Sequence, residues 1–178
     1  FVDKAHTPQP GSLGTIDNPF TQLDDAFAAT DPGDIVRIVG NGGADGLLST
    51  LEDNLAYEIG RGNLGPLADG VTARLPQGVT VMVDAGAIFK LRQTAIQVGS
   101  SSVAIDRSGS ALQILGTPVA SVIFTSYNDE AIGVDTNPVS TTPGPGDWGG
   151  LLFDTGLDRA EGRFDHEQQG IFLDYVNH

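Results

Sequence analysis

From Asp34 onward the chain is a succession of short apolar runs, each about four or five residues long and most of them closed by a glycine-centred bend. Before that point one stretch has helical spacing. Phe20, Leu23, Ala26 and Phe27 recur at i, i+3, i+6 and i+7, which places them on one face and predicts a helix within residues 18–29. Asn18 or Thr21 is placed to cap its start, and Asp24 and Asp25 favour its first turns electrostatically. Asp31-Pro32-Gly33 ends it. So short a helix is marginal alone and must lay its apolar face on something. Residues 1–18, rich in Pro, Gly and Thr, read as an irregular lead-in.

The expected strands begin with Ile35 to Val39, closed by Gly40. Residues 41–46 form a loop, and Leu55 to Ile59 is a further candidate strand. Val79 to Val83 alternates and turns at Asp84-Ala85-Gly86 into Ala87 to Leu91. Ala95 to Val98, Ala111 to Leu115, Ser121 to Thr125, Gly150 to Phe153 and Ile171 to Val176 follow. A sandwich of hairpins would need reversing turns such as Asn-Gly between paired strands. Here the breaks are often single bends, which redirect the chain without reversing it. That pattern predicts an all-β, single-stranded right-handed parallel β-helix, a solenoid, with a short N-terminal capping α-helix. In it Val, Ile, Leu and Phe point inward, whereas Thr80, Lys90, Gln97 and Gln113 point outward.

Composition narrows the function classes. Glycine is abundant, at 24 residues, without a G-X-Y period, so collagen is excluded and tight turns are favoured. Nine basic residues against 23 acidic ones give a formal charge of −14, which argues against nucleic acid or an anionic membrane as a partner. The same charge suits divalent cations or simple solvation. With no cysteine, disulfides, thiolate metal sites and cysteine nucleophiles are ruled out. No window has the length and apolarity of a membrane-spanning helix, so membrane insertion is not expected.

Particular strings carry a resemblance. Asn18-Pro19-Phe20-Thr21 with the following helix, and Asp31-Pro32-Gly33-Asp34-Ile35-Val36-Arg37-Ile38, resemble the opening of pectate-lyase-like parallel β-helix proteins. Leu75 to Lys90, Ser121 to Asp129 and Pro145 to Phe153 are similar to rungs of that group. Their order along the chain is similar to that of large repetitive bacterial surface proteins of the planctomycete type. The resemblance spans roughly residues 14 to 178 and speaks to fold far more than to activity. It implies a single domain over 1–178, with lead-in and capping helix in 1–33 and rungs with loop excursions in 34–178.

An apolar strand so close to His178 leads to the expectation that the chain is the N-terminal part of a longer one. Further rungs of its own, or a neighbouring subunit, would then cover the C-terminal face.

Three places offer chemistry. Asp129, Glu130 and Asp135, in a loop with Asn128 and Asn137, are candidate oxygen ligands for calcium, a hard cation that needs several at once. The alternative is a solvated acidic loop. The stretch 154–167 brings together Asp158, Arg159, Glu161, Arg163, Asp165, His166 and Glu167. Arg163, Asp165 and His166 are the candidates there for β-elimination or glycoside hydrolysis, though the characteristic catalytic strings are missing and a polar connecting loop accounts for the same residues. Trp148, between Asp147 and Gly149, is a packing anchor or a sugar-stacking ring. The expected role is therefore a structural or adhesive segment of a secreted or cell-surface protein, such as a stalk, filament or adhesin. A carbohydrate-active protein, with glycans as partners, is the alternative.

Overall fold

A computed structural model describes residues 1–11, 13–102, 104–136, 142–154 and 156–157. Among the described residues one helix, α1 (Leu23–Ala28), precedes ten strands: β1 (Ile35–Ile38), β2 (Tyr57–Gly62), β3 (Gly65–Pro66), β4 (Ala73–Arg74), β5 (Thr80–Asp84), β6 (Ile88–Arg92), β7 (Ile96–Gly99), β8 (Ala111–Leu115), β9 (Ile123–Ser126) and β10 (Leu151–Asp154). They form three sheets, ordered β1-β5-β8, β3-β2-β6-β9 and β10-β7-β4. Every sheet pairing is parallel except β2 with β3, a short antiparallel hairpin.

The expectation of one continuous right-handed solenoid is corrected by this topology. The strands are shared among three small open sheets of three, four and three strands, and one sheet is mixed. The physical reason lies in the connections. A regular solenoid stacks one repeated unit on the next. Here β3 and β4 are only two residues long, and the connections differ widely in length, with 18 residues between β1 and β2 but three between β5 and β6. Strands still dominate the fold. The segment Ile171 to Val176 lies outside the described residues.

The helix is shorter than its spacing predicts, and neither Asn18 nor Thr21 caps it. The residue at the cap position is Gln22, whose side chain makes no cap hydrogen bond. Asp69, far along the chain, accepts from the Leu23 backbone N–H at 3.2 Å. Asn18 instead staples the lead-in, exchanging two hydrogen bonds with the Gln9 backbone. Asp24 and Asp25 do occupy the first turn. Leu23 and Ala26 are buried in the core, so the apolar stripe finds the cover it needs.

The core lies between the three sheets. Val36 and Ile38 of β1, Val81 and Val83 of β5 and Leu112 of β8 enter it from the first sheet. Tyr57, Ile59, Phe89 and Leu91 enter from the second, and Ala73, Ile96 and Val98 from the third. Strand β5 keeps the predicted alternation, with Val81 and Val83 buried and Thr80, Met82 and Asp84 partly exposed. In β6, by contrast, four consecutive residues, Ile88 to Leu91, are buried. Both faces of that strand are therefore covered. Because β2, β6 and β9 are in register, Tyr57, Phe89 and Phe124 stack in a row, with ring centroids 5.3 and 5.0 Å apart. Among the described residues no helix is long and apolar enough to cross a membrane.

Candidate functional site

The second cover on β6 comes from the acidic loop. Gly133 N–H donates to Leu51 O at 2.7 Å, Val134 N–H to Asn54 O at 2.8 Å, and Ala56 N–H to Val134 O at 2.9 Å. These bonds lay the loop along the segment leading into β2. Asn41 fixes that segment in turn, since its amide exchanges hydrogen bonds with both the N–H and the C=O of Leu55 at 2.9 Å. Gly133 has a positive φ of 71° and packs within contact of Ile88 and Ala56, where a β-carbon would crowd both. The loop thus closes the face of the sheet that points away from the core.

Beneath the loop lies a charged layer. Glu58 and Lys90 are register partners on adjacent parallel strands, and Thr125 continues the row on β9. Lys90 Nζ donates to Asp135 Oδ2 at 2.7 Å, with side-chain exposures of 0% and 1%. Glu58 is 1% exposed. Its two carboxylate oxygens accept from Thr136, from the backbone N–H at 3.1 Å and from the hydroxyl at 2.7 Å. Burial pushes the Glu58 carboxyl above the usual glutamate range, while the Thr136 hydrogen bonds pull it partly back. Nearby, burial also raises the Tyr127 phenol, against a hydrogen bond from Thr136.

A second buried carboxylate lies at the other end of Glu58. The Asp69 side chain accepts from the Glu58 backbone N–H at 2.7 Å, from Leu23 N–H and from Lys4 Nζ. Asp69 N–H returns a bond to Glu58 O at 2.8 Å. One carboxylate thereby ties the lead-in, the helix start and β2 together. Burial raises its pKa, opposed by the Lys4 ammonium. The Tyr57 hydroxyl lies in the same region. It donates to Val39 O at 2.8 Å, and burial drives its pKa far upward.

The three carboxylates proposed for calcium part company. Asp135 faces Lys90. Asp129 accepts from the Thr125 hydroxyl at 2.6 Å and from Ala131 N–H. Glu130 is exposed. Among the described residues, no group of three or more acidic or histidine side chains has the arrangement to hold a metal ion. Asn137, and the candidates Asp158, Arg159, Glu161, Arg163, Asp165, His166 and Glu167, lie outside the described residues. Trp148 is partly buried and packs against the core, which is the anchoring role. Beside it Asp147 accepts from Ser126, Asn128 and Gly144, and those bonds hold its carboxyl below the usual range.

Lys90 corrects the outward set. Its parity is as expected, away from the apolar core, yet it is fully buried because the loop covers it. Thr80, Gln97 and Gln113 remain partly exposed. A signal for the layer was present in sequence. Glu58 and Lys90 each stand inside an apolar run, Tyr57-Glu58-Ile59 and Phe89-Lys90-Leu91. Asp69 carried no such signal, since its partners are 11, 46 and 65 residues away.

Chemically, the layer can hold segments together and can move a proton between neighbours. Between the sheets, the void lined by residues such as Leu23, Ile59, Val81 and Phe89 is about 10 Å³, room for a single water. Comparison of the chain with protein-family models, curated proteins and solved structures gives no match.

Proposed function

We propose that the chain is a structural or adhesive segment of a secreted or cell-surface protein, of the stalk, filament or adhesin kind. The observation that supports this best is where its charged side chains are committed. Lys90 with Asp135, Lys4 with Asp69 and Arg37 with Asp84 each join segments far apart in sequence. The first is buried, the second joins a partly exposed lysine to a buried aspartate, and the two hold a loop and the lead-in onto the sheets. Groups arranged in this way brace a fold. Parallel ladders in three sheets around one core add to the stiffness. The resemblance of residues 14 to 178 to repetitive bacterial surface proteins favours the same placement.

Antibody labelling of intact cells that make the protein tests the location. The expected result is label on the outer surface, and label seen only after permeabilisation overturns it. Incubation with acidic polysaccharides, read by the ultraviolet absorbance of unsaturated uronate, tests the role. No release is expected. Sustained release would move the chain to the carbohydrate-active class, and Arg163, Asp165, His166 and Trp148 would be the first residues to replace.

A further inference from the structure

A lysine and an aspartate held side by side without water are the reactants of an amide condensation. Lys90 Nζ lies 2.7 Å from Asp135 Oδ2, and both side chains are sealed from solvent. Two features make the contact more than a chance ion pair. The lysine projects from the middle strand of a sheet, between β2 and β9, so its backbone is fixed on both sides. The aspartate is fixed from the loop: Val134 before it is hydrogen-bonded to Asn54 and Ala56, and Thr136 after it is held through both its N–H and its hydroxyl by Glu58. Burying two charges together is costly, and a neutral product would relieve that cost.

We propose that Lys90 and Asp135 condense into an intramolecular isopeptide bond. Proton transfer across the 2.7 Å contact turns ammonium and carboxylate into amine and carboxylic acid. The Lys90 Nζ lone pair then attacks Asp135 Cγ, and the new Nζ–Cγ bond forms. The Cγ–OH bond breaks, and the hydroxyl leaves with one of the amine protons as water. Atoms and charge balance without oxidant, reductant or cofactor, because a cation and an anion yield one amide and one water. The burial that brings the groups together also keeps bulk water from reversing the step. Exclusion of water and fixed approach are what such an intramolecular reaction requires. The product ties the covering loop covalently to the central strand of the second sheet, a brace that suits a chain under mechanical load.

Intact-mass spectrometry of the protein as isolated, under denaturing conditions, tests this directly. The expected mass is lighter than that of the sequence by one water. Lys90→Met and Asp135→Ala should each restore the full mass calculated for the substituted sequence. Because either replacement can impair folding, tryptic mapping of the unsubstituted protein gives a second measurement. Lys90 should resist cleavage, and residues 75–92 should travel joined to residues 108–159 as one branched species. A mass equal to that of the linear sequence overturns the proposal. So does a water lost elsewhere, such as a cyclised Asp45-Gly46, with the two peptides separate.

Discussion

Glu58 and Asp69 carry carboxyls into places with almost no solvent, and their titration reports on the fold. Both have folded-state pKa values raised by burial. Above the ordinary carboxylate range the native state therefore binds more protons than the unfolded chain, and their contribution falls as pH rises. It is fully present below the unfolded values and is lost as pH passes the raised folded ones. Asp106 and Asp147 are shifted the other way by hydrogen bonds, so their contribution is lost only as pH falls below the ordinary range. The two windows separate. Urea midpoints measured at a series of pH values should decline from mildly acidic toward neutral pH, and Glu58→Gln should flatten that decline. An unchanged slope in the variant would exclude Glu58 as its source. Asp69→Ala has a different effect, because it leaves Lys4, Leu23 N–H and Glu58 N–H without their acceptor. A loss of about 3 kcal/mol is expected from denaturant unfolding.

At the scale of elements, strand runs read from sequence within the described residues match the observed strands to within one or two residues, except that β2 runs three residues past the expected Ile59. Ala111–Leu115 is matched end to end, and Thr80–Asp84 and Ile88–Arg92 are offset by one residue. Alternation and glycine breaks are local, so a single chain displays them. The two-residue strands β3 and β4 have no pattern long enough to see. The helix start was misread for a related reason: its acceptor, Asp69, is 46 residues away. The aromatic row gives a prediction at this scale. Phe89 lies between Tyr57 and Phe124, so Phe89→Ala should cost about 3–5 kcal/mol in unfolding free energy. Leu64, fully exposed in the β2–β3 turn, should tolerate Leu64→Ala to within about 0.5 kcal/mol. Gly60 sets a further limit on β2. It has φ of 129°, and a β-carbon there would run into the Arg92 carbonyl on the neighbouring strand. Gly60→Ala should lower the thermal midpoint more than an alanine replacement at an exposed loop glycine with open space, such as Gly46.

For the whole molecule, net charge is the property that sequence states most directly. A charge of −14 on 178 residues implies self-repulsion in the compact state. Monovalent salt screens it within a Debye length of about 8–10 Å near physiological strength. The thermal midpoint should therefore rise when sodium chloride is raised from low to physiological concentration. A midpoint that fell would mean that the surface pair Arg37–Asp84 outweighs the repulsion. The Lys90–Asp135 contact is closed to solvent and, as an ion pair or as an amide, should not contribute to the response.

What the amino-acid sequence determined alone is the local order: a strand-dominated chain, the approximate positions of its strands, a short helix near the start, and a strongly acidic balance. Each follows from the spacing or type of near neighbours. The tertiary structure decided how the strands are shared among three open sheets, and that Lys90, correctly facing away from the core, is nonetheless buried. It also decided that Asp135 answers a lysine 45 residues away, while Asp129 turns to Thr125. Burial on the outer face depends on which loop returns over the sheet. That is set by hydrogen bonds between distant backbone segments, and no spacing along the chain encodes it.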